Sequence, residues 1–152
     1  MLDLIRLNHD IADINKLDNV KITFPEKGNI TKFIITLKVD AGYYKKKWFR
    51  FLFNIPDNWP YVRPQVRILD KIWHPNIELT QGDQYGRVCV STLKSNYLGT
   101  MLMMSIVESL KFLLVNPNPD DALNTVAADE YKKNYDLFKE KAKNYIDEMG
   151  SD

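Results

Sequence analysis

Leu4, Leu7, Ile11 and Ile14 recur at steps of three and four, with Arg6, Asp10, Asp13 and Lys16 falling elsewhere on the same surface. That spacing predicts an amphipathic helix ending near Asp18-Asn19, with those polar residues on its solvent side. The period then changes. Val20 to Phe24 alternates, Lys32 to Val39 is rich in Ile and Val, Trp48 to Ile55 is rich in aromatics, and Val66 to Leu69 offers a fourth short run. Residues of this kind, bounded by turn formers such as Gly28-Asn29, predict strands. Four strands in series with short turns suggest an antiparallel meander.

Pro56, Pro60, Pro64 and Pro75 interrupt the next stretch, which excludes continuous helix or central strand there. Asn76 to Leu98 reads as mostly irregular. Helical spacing returns at Met103 to Val115. Its apolar positions Met103, Ile106, Val107, Leu110, Leu113 and Leu114 wrap much of the surface, so this helix should be well buried. Asn116-Pro117-Asn118-Pro119 stops it. A helix pair follows, at about Ala122 to Asp129 and Tyr131 to Met149, with Tyr135, Phe138, Ala142, Tyr145 and Met149 as an apolar stripe. Strands first and helices after them give an α+β fold. No repeat, low-complexity tract or linker divides residues 1–152, which reads as one domain.

Composition narrows the function classes. Hydrophobic residues at 45% and a net charge of +1 argue against disorder and against a whole-chain nucleic-acid footprint. No apolar run approaches the roughly 20 residues that span a bilayer. The first residues carry acids and lack the apolar core of a secretory signal. One cysteine allows no intrachain disulfide and fits a reducing compartment. The expectation is a cytoplasmic or nuclear protein with neither a membrane nor a nucleic-acid partner.

That cysteine, Cys89, is the candidate nucleophile. A lone cysteine is commonly a small buried hydrophobe. This one follows the loop-like stretch Gln81-Gly82-Asp83-Gln84-Tyr85-Gly86-Arg87-Val88, and loops carry function. A hydrolase would pair it with His74 as base, but Pro75 follows in a rigid segment and no local protease signature surrounds Cys89. One cysteine and two distant histidines, His9 and His74, lack metal-ligand spacing, so no metal is expected. The scattered glycines form no phosphate loop. Lys45-Lys46-Lys47 reads as a solvated turn. From the residues alone, Cys89 is a possible cysteine nucleophile in an α+β domain.

Trp73-His74-Pro75-Asn76-Ile77 followed by Gly86-Arg87-Val88-Cys89 resembles the signature of ubiquitin-conjugating enzymes. Asn116-Pro117-Asn118-Pro119-Asp120-Asp121-Ala122-Leu123-Asn124 resembles a second segment of that family, and the order of elements matches over essentially the whole chain. The resemblance implies an aminoacyltransferase. An activating enzyme, which uses ATP, would hand a ubiquitin-like modifier to Cys89 as a thioester, and a substrate lysine would then attack. The chain itself would need no cofactor. Asn76 matches the family's asparagine, able to donate to the oxyanion or to brace the loop. Asp121 matches a carboxylate that orients the amine, or could cap a helix starting near Ala122. His74 and Pro75 would support the active-site loop.

Departures from the family pattern bear on partners. Cys89 follows Asn76 by 13 positions, longer than the family's commonest spacing, with the extra residues expected to loop out around Thr80 to Tyr85. Tyr61 and Tyr97 stand in the two loops that form the family's surface for RING-type ligases, and Arg63 and Ala122 replace prolines. Asp40-Ala41-Gly42-Tyr43-Tyr44, Ile72-Trp73-His74-Pro75-Asn76 and Leu123-Asn124-Thr125-Val126-Ala127-Ala128 are similar to the neddylation branch, whose modifier is destined for cullins. Ubiquitin as the modifier, or a non-catalytic modifier-binding member, are the alternatives. That branch docks on its activating enzyme through a basic N-terminal extension. Here the chain starts almost at the first helix, which leaves the face with Arg6, His9 and Lys16 as the docking candidate.

Overall fold

The computed structural model describes residues 1–79, 86–94 and 96–149. Helix α1 (Leu4–Ile14) begins where the Asp3 carboxylate accepts the Arg6 N–H at 3.1 Å. It stops before the predicted Asp18-Asn19. Lys16 and Leu17 donate to Asp13 and Ile14 in tight turns, and Asn19 at φ 60° redirects the chain. Leu7, Ile11 and Ile14 are buried, whereas Leu4 is half-exposed. Asp10, expected on the solvent side, is buried instead. Its carboxylate accepts the Met103 N–H at 3.2 Å. The reason lies in the partner helix, whose N-cap residue Leu102 has no side-chain acceptor, so Asp10 satisfies one orphan donor from across the fold.

Strands β1 (Val20–Thr23), β2 (Lys32–Leu37), β3 (Phe49–Asn54) and β4 (Gln65–Ile68) form an antiparallel sheet in sequence order, the predicted meander. Register sets the core face: Phe33, Ile35 and Leu37 of β2 lie opposite Phe53, Phe51 and Phe49 of β3, all buried. Phe33 and Phe53 stack with centroids 5.3 Å apart. Helix α2 (Met103–Val115) contributes its predicted apolar positions to the same core, though Phe112 stays 67% exposed.

The terminal pair is α3 (Thr125–Lys133) and α4 (Tyr135–Glu148), displaced from the predicted bounds. Asn134 both ends α3 and caps α4. Helix α3 cannot start at Ala122, because the Leu123 and Asn124 N–H groups both donate to the Pro75 carbonyl at 2.9 Å; Asn124 is the cap.

The segment between Asn76 and Cys89 departs and returns in antiparallel register. Ile77 pairs with Val88, Glu78 accepts from Gly86 at 2.9 Å and donates to Arg87 at 2.8 Å, and Cys89 donates to Asn76 at 2.9 Å. The added length therefore leaves Asn76 and Cys89 adjacent. The expected loop at Thr80 to Tyr85 lies outside the described residues. Gly86 carries this return at φ +77°, and a Cβ there would sit 2.2 Å from the Ile68 carbonyl oxygen. Only glycine fits both demands. Gly86→Ala should cost at least about 2 kcal/mol in urea unfolding. A loss below about 0.5 kcal/mol, the range of neutral surface changes, would contradict this placement.

Candidate active site

His74 is completely buried beneath the loop that follows it. Its Nδ1 accepts the Asn76 backbone N–H at 3.0 Å, and its Nε2 lies 2.9 Å from the Leu113 carbonyl of α2. A backbone amide can only donate, and a carbonyl can only accept. The ring is therefore neutral with its proton on Nε2. Burial pushes its pKa down to about 4, against a smaller upward pull from the Leu113 carbonyl. No lone pair is left to take a proton from Cys89, so the hydrolase reading loses its base.

Neighbours fix the same loop. Tyr44 donates its hydroxyl to the Trp73 carbonyl at 2.5 Å. The Trp73 indole donates to buried Glu130 of α3 at 2.9 Å, and Lys141 of α4 closes on the other Glu130 oxygen at 2.5 Å. The Pro75 carbonyl receives Leu123 and Asn124, as described above. The β2–β3 connection, α2, α3 and α4 thus all anchor residues 73–76.

Asn76 is buried, and its whole side chain is engaged. Its amide nitrogen donates to the carbonyls of Asn118 at 2.7 Å and Asp121 at 2.8 Å, while its oxygen accepts the Asn118 N–H at 2.8 Å. This is the bracing arrangement. Donation to an oxyanion would require one of these two carbonyls to be exchanged.

The braced loop delivers Asp121. Its exposed carboxylate is not a helix cap; Oδ2 lies 3.3 Å from the Cys89 Sγ and accepts from Lys94 Nζ at 2.9 Å. Cys89 itself is 6% exposed. Burial raises its thiol above the ordinary cysteine value; Lys94 pulls down and Asp121 pushes up. Asp121 is held below the usual carboxylate range by Lys94 and the thiol. The Lys94 ammonium is correspondingly held above its usual value. The site rests with a protonated thiol facing a carboxylate and an ammonium. Lys94, which follows the 3-10 turn Ser91–Leu93, was not singled out by the sequence, nor was Glu130; neither sits at a motif spacing.

Two further loops lie together. Tyr61 is 84% exposed beyond the Trp59-Pro60 bond, which is cis. Tyr97 donates its hydroxyl to the Pro60 carbonyl at 2.6 Å, tying the loops. Arg6 departs from the expected solvated face. It stacks 4.8 Å over Trp59 and donates to the carbonyls of Gly99 and Met101, because those carbonyls and that ring offer a guanidinium more than solvent does. His9 and Lys16 remain exposed.

Comparison with known proteins decides what this geometry belongs to. The sequence model described as Ubiquitin-conjugating enzyme matches residues 6–146. The chain belongs to that family. A NEDD8-conjugating enzyme UBC12 of Yarrowia lipolytica is 31% identical over 139 residues, covering 91% of this chain and 75% of the relative. The Nedd8-conjugating enzyme UbcE2M of Drosophila melanogaster is 32% identical, covering 91% and 74%. The structure of S. cerevisiae Ubc12 superimposes with TM-score 0.79 at 28% identity over 91% of this chain and 74% of that one. The chain is therefore a ubiquitin-like protein conjugating enzyme of the cysteine thioester type, which works with an activating enzyme, a modifier and a ligase. No helix among the described residues is long and apolar enough to cross a membrane.

Two outcomes follow from these charges. Free histidine titrates near 6.5 and His74 at about 4, so folding favours the neutral ring. Its contribution is complete above about pH 6.5 and is lost as pH falls towards 4, amounting to about 2 kcal/mol by pH 5. The gap in unfolding free energy between wild type and His74→Gln should therefore shrink by about that amount from pH 7.5 to pH 5. A constant gap would mean the ring is not held neutral. At the thiol, alkylation of Cys89 by iodoacetamide should show a midpoint above that of free cysteine. Asp121→Asn should move it down and Lys94→Ala up; shifts of the opposite sign would reject the assigned contacts.

Proposed function

We propose that Cys89 carries a modifier of the NEDD8 class as a thioester and passes it to a substrate lysine, on a cullin in the first instance. The supporting observation is Asp121 Oδ2 at 3.3 Å from Sγ, where an approaching amine meets a carboxylate beside the reacting carbon. The modifier class rests on the relatives whose names carry it.

In the first step the Cys89 thiolate attacks the thioester carbon held by the activating enzyme, which has spent ATP. The donor's sulfur leaves, taking up the proton. In the second step the lysine amine attacks the Cys89 thioester. The exposed Asp121 carboxylate orients it and accepts its proton, replacing its present contact with Lys94. Asn76 trades one loop carbonyl for the oxyanion, a donor worth roughly 3 kcal/mol in comparable chemistry. Collapse expels the Cys89 thiolate, towards which the Lys94 ammonium is already placed, and leaves an isopeptide bond. His74 and Pro75 position the loop. His9 and Lys16, with Arg6 at the foot of the same helix, take the activating enzyme, and exposed Tyr61 with its tie Tyr97 takes a RING-type ligase. The same reading puts the enzyme in the cytoplasm or nucleus, where the thiol stays reduced.

Charging is read on a non-reducing gel after incubation with the matching activating enzyme, ATP and either NEDD8 or ubiquitin. A thiol-sensitive adduct should form with NEDD8 and be absent in Cys89→Ala. Asp121→Asn should still charge but discharge to lysine roughly a hundredfold more slowly. Charging by ubiquitin alone would reassign the modifier, and no adduct with either would remove the reading.

A further inference from the structure

A groove of about 560 Å³ leads away from Cys89 along β4. Four cations line it, Arg63, Arg67, Arg87 and Lys94, and no acidic residue among the described residues does. The chain as a whole carries only +1, so this is a local concentration of charge. Lys94 is engaged by Asp121 and Arg87 by Glu78 at 3.3 Å. Arg63 and Arg67 are exposed and have no acidic partner among the described residues. Guanidinium forks bind carboxylates in paired, charge-assisted hydrogen bonds, with more directional demand than lysine makes.

The backbone along this groove is already paired. Leu69 donates to Arg50 of β3, Ile68 donates the other way, to Gly86, and an antiparallel bridge joins Arg67 to Arg87 of the segment returning to Cys89. Side chains, the guanidinium groups above all, are what the groove offers a ligand.

We propose that this groove binds an acidic segment of the substrate next to its acceptor lysine, with Arg63 and Arg67 reading the carboxylates. The inference rests on the thioester reading above and deepens it. The lysine enters at Asp121 while the flanking residues run along β4, so the acid on one side of Cys89 and the base on the other select a lysine with acidic neighbours. No bond is made or broken in the groove.

The test separates binding from chemistry. Isotope-labelled, uncharged protein is titrated with an acidic dodecapeptide carrying Ala at the lysine position. Amide shifts should appear at Val66 and Arg87, weaken with salt, and need roughly tenfold more peptide in the double variant Arg63→Gln/Arg67→Gln, as fits loss of charge-assisted bonds. No shift at these amides, or an unchanged affinity in the variant, overturns the proposal whether or not the protein charges. The second arm measures single-turnover discharge of the wild-type thioester to lysine peptides with acidic or amide-neutralised flanks. A preference of roughly tenfold for the acidic peptide that falls towards unity in the variant supports it. Equal rates overturn it while leaving the thioester reading intact. A variant that is slow to charge but keeps the peptide preference would assign the groove to the modifier's tail and also overturn the proposal.

Discussion

The imidazole of His74 holds two elements at once: one nitrogen accepts from the Asn76 backbone and the other faces the last turn of α2. Everything reactive hangs from that contact. It fixes Asn76, whose side chain braces Asn118 and Asp121, while the adjoining Pro75 carbonyl receives Leu123 and Asn124. The carboxylate of Asp121 reaches Cys89 because those carbonyls and amides are already matched. A charged His74 would have no acceptor for its second proton and would lie unpaired among buried neighbours. The low pKa is thus the electrostatic expression of the same geometry.

The site gains order at some cost to its resting reactivity. Cys89 is buried and faces an anion, both of which keep the thiol protonated. Lys94 offsets this in part and is paired with Asp121. In the proposed mechanism, reaction depends on partners: an activating enzyme to bring an electrophile, and a substrate lysine to take the place of Lys94. A nucleophile that is quiet when alone suits a carrier better than a hydrolase.

Much of this was legible in the chain. The four strands and α2 follow from their apolar spacing, and α2 keeps its predicted bounds. Helix α1 ran shorter because a left-handed Asn19 is a backbone event that periodicity does not register. Helix α3 began later because its would-be first turn is claimed by Pro75, a residue about fifty positions earlier. Asp10 and Arg6 looked like surface charges, yet both turn inwards to satisfy backbone groups of a distant loop and helix end. The spacing before Cys89 is longer than the family's commonest, yet antiparallel return through Gly86 leaves Cys89 bonded to Asn76. Lys94 and Glu130 carry no motif, and only the folded arrangement reveals what they touch.

The measurement closest to the centre of this account is nitrogen NMR of the His74 ring. A ring locked between the Asn76 amide and the Leu113 carbonyl should show an unprotonated Nδ1 and a protonated Nε2, unchanged from about pH 7.5 to pH 5.5. A ring that titrates near the free-histidine value, or whose proton sits on Nδ1, would contradict the lock and the placement of Asn76, Asp121 and Cys89 that depends on it.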